Sequence, residues 1–187
     1  VNSAGVATVG FIDQLSADAF RKTMDINFIG TVNVVKAILP GMLQRGSGAI
    51  VNISSFLGVV SIHGYSAYSA TKYAIRGFSD ALRAEVHRKG IRVAVVFPDD
   101  TDTPQYAEEM NHRPEIVKAM WGESKPMSPE QVAKETLDGV ARGHYMIVPG
   151  LKTRILFDIV FLAGRRIHRV INLLETIGLR SINSRKQ

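Results

Sequence analysis

A chain of 187 residues with 45% hydrophobic and 21% charged residues is long enough to bury a core and too apolar to be disordered. Without cysteine it forms neither a disulfide nor a thiolate metal site, and His63, His87, His112, His144 and His168 show no paired ligand spacing, so no metal is expected. The net charge of +6 gathers late, in Arg165, Arg166, Arg169, Arg180, Arg185 and Lys186; an anionic membrane surface or a solvated tail explains it as well as nucleic acid does, and no nucleic-acid partner is expected.

Val1 opens the chain without an initiator Met or a secretory leader, which suggests a processed or truncated chain in a cytoplasmic setting. Short apolar runs then alternate with long amphipathic segments, the pattern of strand–helix–strand units that carry a parallel sheet. Val1 and Asn2 read as the end of one strand, and Ser16 is placed to cap a helix reaching about Leu43, with Pro40 disturbing its last turns. The runs 49–53, 91–97 and 145–148, β-branched or aromatic and bounded by Gly, Ser or Pro, read as buried strands. A second helix covers about 67–88 and stops at Gly90. Residues 99–127, interrupted by Pro104, Pro114 and Pro126, read as an irregular insertion with short helices, a candidate lid beside the binding edge of the sheet. Ser128, Pro129, Glu130 and Gln131 form a capping box that opens a third helix, closed by Gly143.

Tyr68 and Lys72 stand four apart on the second helix, so their side chains rise from one face and can meet. A tyrosine hydroxyl ordinarily titrates near about 10, and an adjacent ammonium lowers that value, making the group a usable acid or base. Alone, the pair is also what an ordinary aromatic and a solvated lysine would give. Ser55, at the end of the strand 49–53, can bring a second hydroxyl to the same crevice; its neighbour Ser54 could do the same, and spacing does not choose between them.

Taken together, Asn2-Ser3-Ala4-Gly5, Asn27, Ile53-Ser54-Ser55 and Tyr68-Ser69-Ala70-Thr71-Lys72 resemble the short-chain dehydrogenase/reductase family, in the family's order and over nearly the whole chain. The resemblance implies an α/β fold, a Rossmann-type doubly wound parallel sheet present here as its carboxyl-terminal part. It implies that Tyr68 is the acid for reduction, that Lys72 lowers its pKa and holds the nicotinamide ribose, that Ser55 orients the substrate carbonyl, and that Asn27 holds a water linking Lys72 to solvent. A mid-helix asparagine otherwise reads as solvent-exposed. Asn2, Ala4 and Gly5, with Ser3 in place of the family's second Asn, would border the adenosine site. Where the family has Pro-Gly and then a threonine at the nicotinamide, this chain has Pro98, Asp99, Thr101 and Thr103, so Pro98, Thr101 and Thr103 are the matching cofactor contacts.

The run Asp100-Thr101-Asp102-Thr103-Pro104 and the stretch 65–77 are similar to the 3-ketodihydrosphingosine reductase branch. That likeness implies NADP, with NAD also allowed, and a lipid-like long-chain ketone as substrate. The alternative is a truncated, non-catalytic association module. No glycine-rich pyrophosphate turn is present, so a further segment on the order of 70 to 90 residues is expected upstream, carrying the turn that activity requires.

Residues 1–150 therefore read as one oxidoreductase unit, and 151–187 as an amphipathic helix with a basic tail. In the latter an apolar run at 155–163, broken by Asp158, continues through Ile167, Val170, Ile171, Leu174 and Ile177, opposite Arg165, Arg166, Arg169, Asn172 and Glu175. The arginine pair argues against a membrane span. Such a helix either lies in a membrane interface or packs on its own domain or on a second copy of the chain. Because the pyrophosphate turn is missing, the 187-residue chain alone is expected not to bind NADP(H). Calorimetric titration checks this, and micromolar binding by the folded chain would relocate the cofactor site.

Overall fold

The computed structural model describes residues 1–121 and 125–184; Arg185 and Lys186 of the basic tail lie outside the described residues. Three parallel strands, β1 (Gly48–Ile53), β2 (Ile91–Val96) and β3 (Met146–Ile147), lie side by side in that order. Gly48 to Ile53 pair in step with Ile91 to Val96, and Val95 and Val96 meet Met146 and Ile147. On the free side of β1, Asn2 makes a parallel bridge to Asn52, and its amide donates to Asn52 Oδ1 at 2.8 Å. Val95, Val96 and Phe97 are wholly inaccessible, as expected of a parallel strand covered on both faces.

Ser16 caps α1 (Ala17–Met24), accepting from the Ala19 N–H at 3.2 Å. A π-helical turn, Asp25–Ile29, then leads directly into α2 (Gly30–Arg45). The rod outruns the expected end near Leu43 and passes through Pro40, which withholds one N–H without ending the helix; Gly46, at φ 64°, stops it. By length and composition Ala17–Arg45 could cross a membrane. In this fold it is tied down by polar contacts instead: Thr23 to Thr8 at 2.6 Å, and Asn27 to Val6 and Thr71.

Next come α3 (Ser66–Val86) and a 3-10 turn (His87–Lys89) that ends at Gly90, φ 78°. Segment 99–127 is more regular than its prolines suggest, because Pro104 is the first residue of α4 (Pro104–His112) and Pro114 immediately precedes α5 (Glu115–Trp121), positions where proline starts a helix. Ser128 caps α6 (Pro129–Ala141), but only half of the capping box forms: Gln131 Nε2 reaches forward to Glu135 at 3.0 Å and not back to Ser128.

The expected single carboxyl-terminal helix is two, α7 (Leu151–Ala163) and α8 (Ile167–Ser184), divided where Gly164 adopts φ 47°. The stripe on α8 is divided as well. Ile167 and Ile171 pack on the core around Phe97 and Phe157, whereas Val170 and Ile177 face outward. Gly178 brings α8 close to α5; a Cβ there would lie 3.0 Å from Met120 Cγ.

A 3-10 turn, Phe56–Gly58, joins the end of β1 to α3 at close range. A methyl group on Gly58 would collide with Ser54 Oγ and stand 2.9 Å from the Lys72 carbonyl oxygen. Gly58→Ala is expected to lower stability by about 1–3 kcal/mol, read as a lower midpoint in denaturant unfolding. An unchanged midpoint would mean that the two elements have room to separate.

Candidate active site

The carboxyl end of β1, the start of α3 and the segment after β2 enclose a crevice of about 600 Å³. Ser55, Tyr68 and Lys72 all line it. Lys72 is buried, with its Nζ 3.1 Å from the Ile53 carbonyl oxygen and 5.3 Å from the centre of the Tyr68 ring. One of the three ammonium donors is therefore committed to the strand, which leaves two for the crevice.

The two serines divide the work that spacing left undecided. Ser54 is buried and donates to the Lys72 carbonyl at 2.9 Å, so its hydroxyl belongs to the scaffold. Ser55 accepts from the Leu57 N–H at 3.1 Å, and its hydroxyl meets that of Tyr68.

Asn27 sits in the π turn and is completely buried, not solvent-exposed. Its Oδ1 accepts from the Val6 N–H at 2.8 Å, while Nδ2 donates to the Val6 carbonyl and to Thr71 Oγ1, each at 3.0 Å. What Asn27 visibly does is brace the turn after Gly5 against α3. A side chain at Gly5 would press within 3.2 Å of Asn27 Oδ1 and 3.8 Å of Lys72 Nζ, so the glycine permits this approach.

Of the residues matched to cofactor contacts, Gly5, Tyr68, Lys72, Pro98, Thr101 and Thr103 line the crevice. Asn2 instead braces β1, and Ala4 is exposed outside the lining. Thr101 donates to the Asp99 carbonyl at 2.9 Å, and Thr103 caps α4 by accepting from the Tyr106 N–H at 3.2 Å. The uncommitted Lys72 donors and the Gly5 approach suit the ribose and nicotinamide end of a dinucleotide; nothing in the described residues supplies its pyrophosphate turn.

Burial pushes the Tyr68 hydroxyl above its ordinary value; the Ser55 contact lowers it, and the Glu109 and Asp100 carboxylates raise it further. Burial also lowers the Lys72 ammonium to about 8. Ser55, and not Lys72, supplies the lowering influence on Tyr68; burial sets the direction, and at neutral pH Tyr68 holds its proton, the form that can donate it.

A group of residues that spacing did not reveal closes the crevice. Tyr65, almost fully buried, donates to Glu109 Oε1 at 2.6 Å. Arg113 contacts Glu109 at 2.6 Å, each oxygen of Asp100 at 2.8 Å and the Tyr65 hydroxyl at 3.1 Å. Only the four-residue interval between Glu109 and Arg113 could have hinted at it.

The short chain dehydrogenase family model matches residues 1–114. A 3-ketodihydrosphingosine reductase of Dictyostelium discoideum is 37% identical over 157 residues, which cover 83% of this chain and 47% of that protein. A 3-dehydrosphinganine reductase of Danio rerio is 37% identical over 145 residues, 78% of this chain and 44% of that protein. The chain spans about half the length of the curated relatives it matches. Among solved structures, a short-chain dehydrogenase from Sphingobium yanoikuyae in complex with NADPH is similar at a TM-score of 0.72 and 26% identity, covering 90% of this chain and 63% of that one. One from Streptomyces avermitilis gives a TM-score of 0.72 at 29% identity, covering 89% and 65%.

Holding Lys72 at about 8 instead of 10.5 costs roughly 3 kcal/mol at neutral pH. The unfolded chain binds this proton more tightly than the folded one, so the penalty is full below about pH 8 and fades as pH rises toward 10.5. Lys72→Met is therefore expected to raise stability at pH 7 by about 1–3 kcal/mol, less the lost bond to Ile53, with the gain vanishing at high pH. Denaturant unfolding at pH 7 and pH 10 checks this; a Met variant less stable at pH 7 would contradict the burial cost.

Proposed function

Because the chain belongs to the short-chain dehydrogenase family and carries part of its Rossmann-type α/β fold, we propose that the protein containing it is an NADP(H)-dependent oxidoreductase that interconverts a ketone and an alcohol. The observation that carries this reading is the convergence of Ser55, Tyr68 and Lys72 on one crevice, with Tyr68 protonated and Lys72 buried. When bound, the nicotinamide supplies the hydride. The Ser55 and Tyr68 hydroxyls hold the carbonyl oxygen, and Tyr68 gives its proton to that oxygen as negative charge develops there. Lys72, anchored to Ile53, offers its two remaining donors to the cofactor ribose. Asn27 keeps the Gly5 turn and α3 in register around that ammonium. A purely associative module gives no reason to bury an ammonium at such cost.

The substrate is a lipid-like, long-chain ketone such as a 3-ketosphingoid base. Apolar residues form much of the crevice lining, among them Phe56, Leu57, Ile62, Val117, Val132 and Leu137. The reductases of Dictyostelium discoideum and Danio rerio support the same class by their names. Leu162, Val170, Leu173 and Ile177 are exposed on α7 and α8, on the segment that carries Arg165, Arg166 and Arg169, which supports peripheral contact with an anionic membrane on its cytoplasmic side. Ile29, Val34 and Ile38, exposed along the Ala17–Arg45 rod, support association with a second copy.

The test is Tyr68→Phe in the full-length protein, assayed by ketone-dependent oxidation of NADPH. Turnover is expected to fall by at least about 10²-fold, because the ring stays and the transferable proton goes. Near-parental turnover would overturn the mechanism. A preference of the parent enzyme for short polar ketones over long-chain ones would overturn the lipid assignment alone.

A further inference from the structure

Arg113 joins three segments that are separate along the chain. It binds Asp100 in the loop after β2, Glu109 on α4, and Tyr65, the residue that caps α3. Its side chain is 8% exposed, and those of Glu109 and Asp100 are 11% and 22% exposed. The Tyr65 carbonyl accepts from the Ser69 N–H at 2.8 Å, so Tyr65 and Tyr68 belong to the same first turn of α3. Glu109, Arg113, Gln105 and Tyr106 line the same crevice as Tyr68.

Resting on the reductase reading, we propose that Arg113 is a positioning residue for Tyr68: it ties α4 across the crevice to the turn that carries Tyr68, and pairs the two carboxylates facing that hydroxyl. The geometry requires an arginine. Its planar fork takes both Asp100 oxygens while reaching Glu109 and the Tyr65 hydroxyl, which a single ammonium cannot do. The groups that act on the Tyr68 hydroxyl are Ser55 from the end of β1, which meets it directly, and the carboxylates of Asp100 from the loop after β2 and Glu109 from α4; Lys72, on the same helix as Tyr68, lies over the face of its ring. Asp100 and Glu109 carry two negative charges, and Arg113 offsets one of them while fixing where both point. Removing Arg113 therefore has two separable effects: the tether across the crevice is cut, and Tyr68 ionises at higher pH.

The experiment uses the full-length enzyme with Arg113→Met, Arg113→Lys, and a triple variant that adds Asp100→Asn and Glu109→Gln to Arg113→Met. KM and kcat are measured for a long-chain ketone, together with the pH profile of alcohol oxidation, in which Tyr68 must act as the base. Arg113→Met is expected to raise KM about tenfold and to move the oxidation profile up by about one pH unit. The triple variant is expected to bring the profile back down to the parental position or below it, because both carboxylate charges are gone, while KM stays high, because the tether is still cut. Arg113→Lys keeps the charge and is expected to retain the raised KM with a near-parental profile. Unpairing two partly buried carboxylates is destabilising; should Arg113→Met fail to fold, the lysine and triple variants decide the matter. Parental KM and pH profile in the folded variants would overturn the positioning role. Tyr68→Phe run in parallel separates the two readings: retained turnover there defeats the reductase assignment itself, whereas lost turnover with parental kinetics in the Arg113 variants defeats only the role of Arg113.

Discussion

Strand β1 grips Lys72 from two directions. The Ile53 carbonyl accepts a hydrogen bond from its ammonium at 3.1 Å, and the Ser54 hydroxyl donates to its backbone carbonyl at 2.9 Å. These two bonds lock the end of the strand to the second turn of α3, and the neighbouring features are shaped around them. Gly58 has no side chain because Ser54 and Lys72 occupy its space, and at Gly5 a side chain would press on Asn27 Oδ1. Asn27 reaches Thr71, next to Lys72 in the chain, and so the long amino-terminal rod is referenced to the same point. A buried ammonium is costly, and the fold keeps it in place by backbone contacts that hydrophobic packing alone would not supply.

The legible part of this site is the part set by local period. Tyr68 and Lys72 could be paired from their helical interval, and the three strands from their β-branched runs, because both depend on neighbours in the chain. The choice between Ser54 and Ser55 was not legible, since it depends on which hydroxyl the Phe56–Gly58 turn presses toward α3. The upward direction of the Tyr68 pKa is not legible for a related reason. Spacing reveals the nearby ammonium but not the depth of burial, and burial dominates. The Arg113 group was invisible because its members come from three segments, brought together only once Pro104 and Pro114 open helices in place of loops. Gly164 acts in the opposite sense, dividing a stripe that a uniform helical period carries straight through.

Asn27 shows how a residue can be noticed for one reason and placed for another. Its oddity in a helix is legible, and exposure is the ordinary explanation. Here the amide is buried and saturated by Val6 and Thr71, and the π turn around it opens the backbone enough to admit those partners. The cost of a polar group in the interior is offset because its bonds join two separate segments, the turn at Val6 by two of them and α3 at Thr71 by the third.

That π turn also carries a phase shift. An α-helix advances about 100° per residue, so one residue added to a turn rotates everything after it by that angle relative to everything before. Thr23, buried ahead of the turn, and Thr31 and Val35, buried behind it, face the domain on two different helical registers. A rod of uniform pitch with the same residues would swing α2 by more than a quarter of a circle and turn Val35 away from Ile50 and Val93 of the sheet. The length of the segment 25–29 is therefore a structural parameter in its own right, one that a single-residue deletion would change while leaving every side chain outside the segment intact.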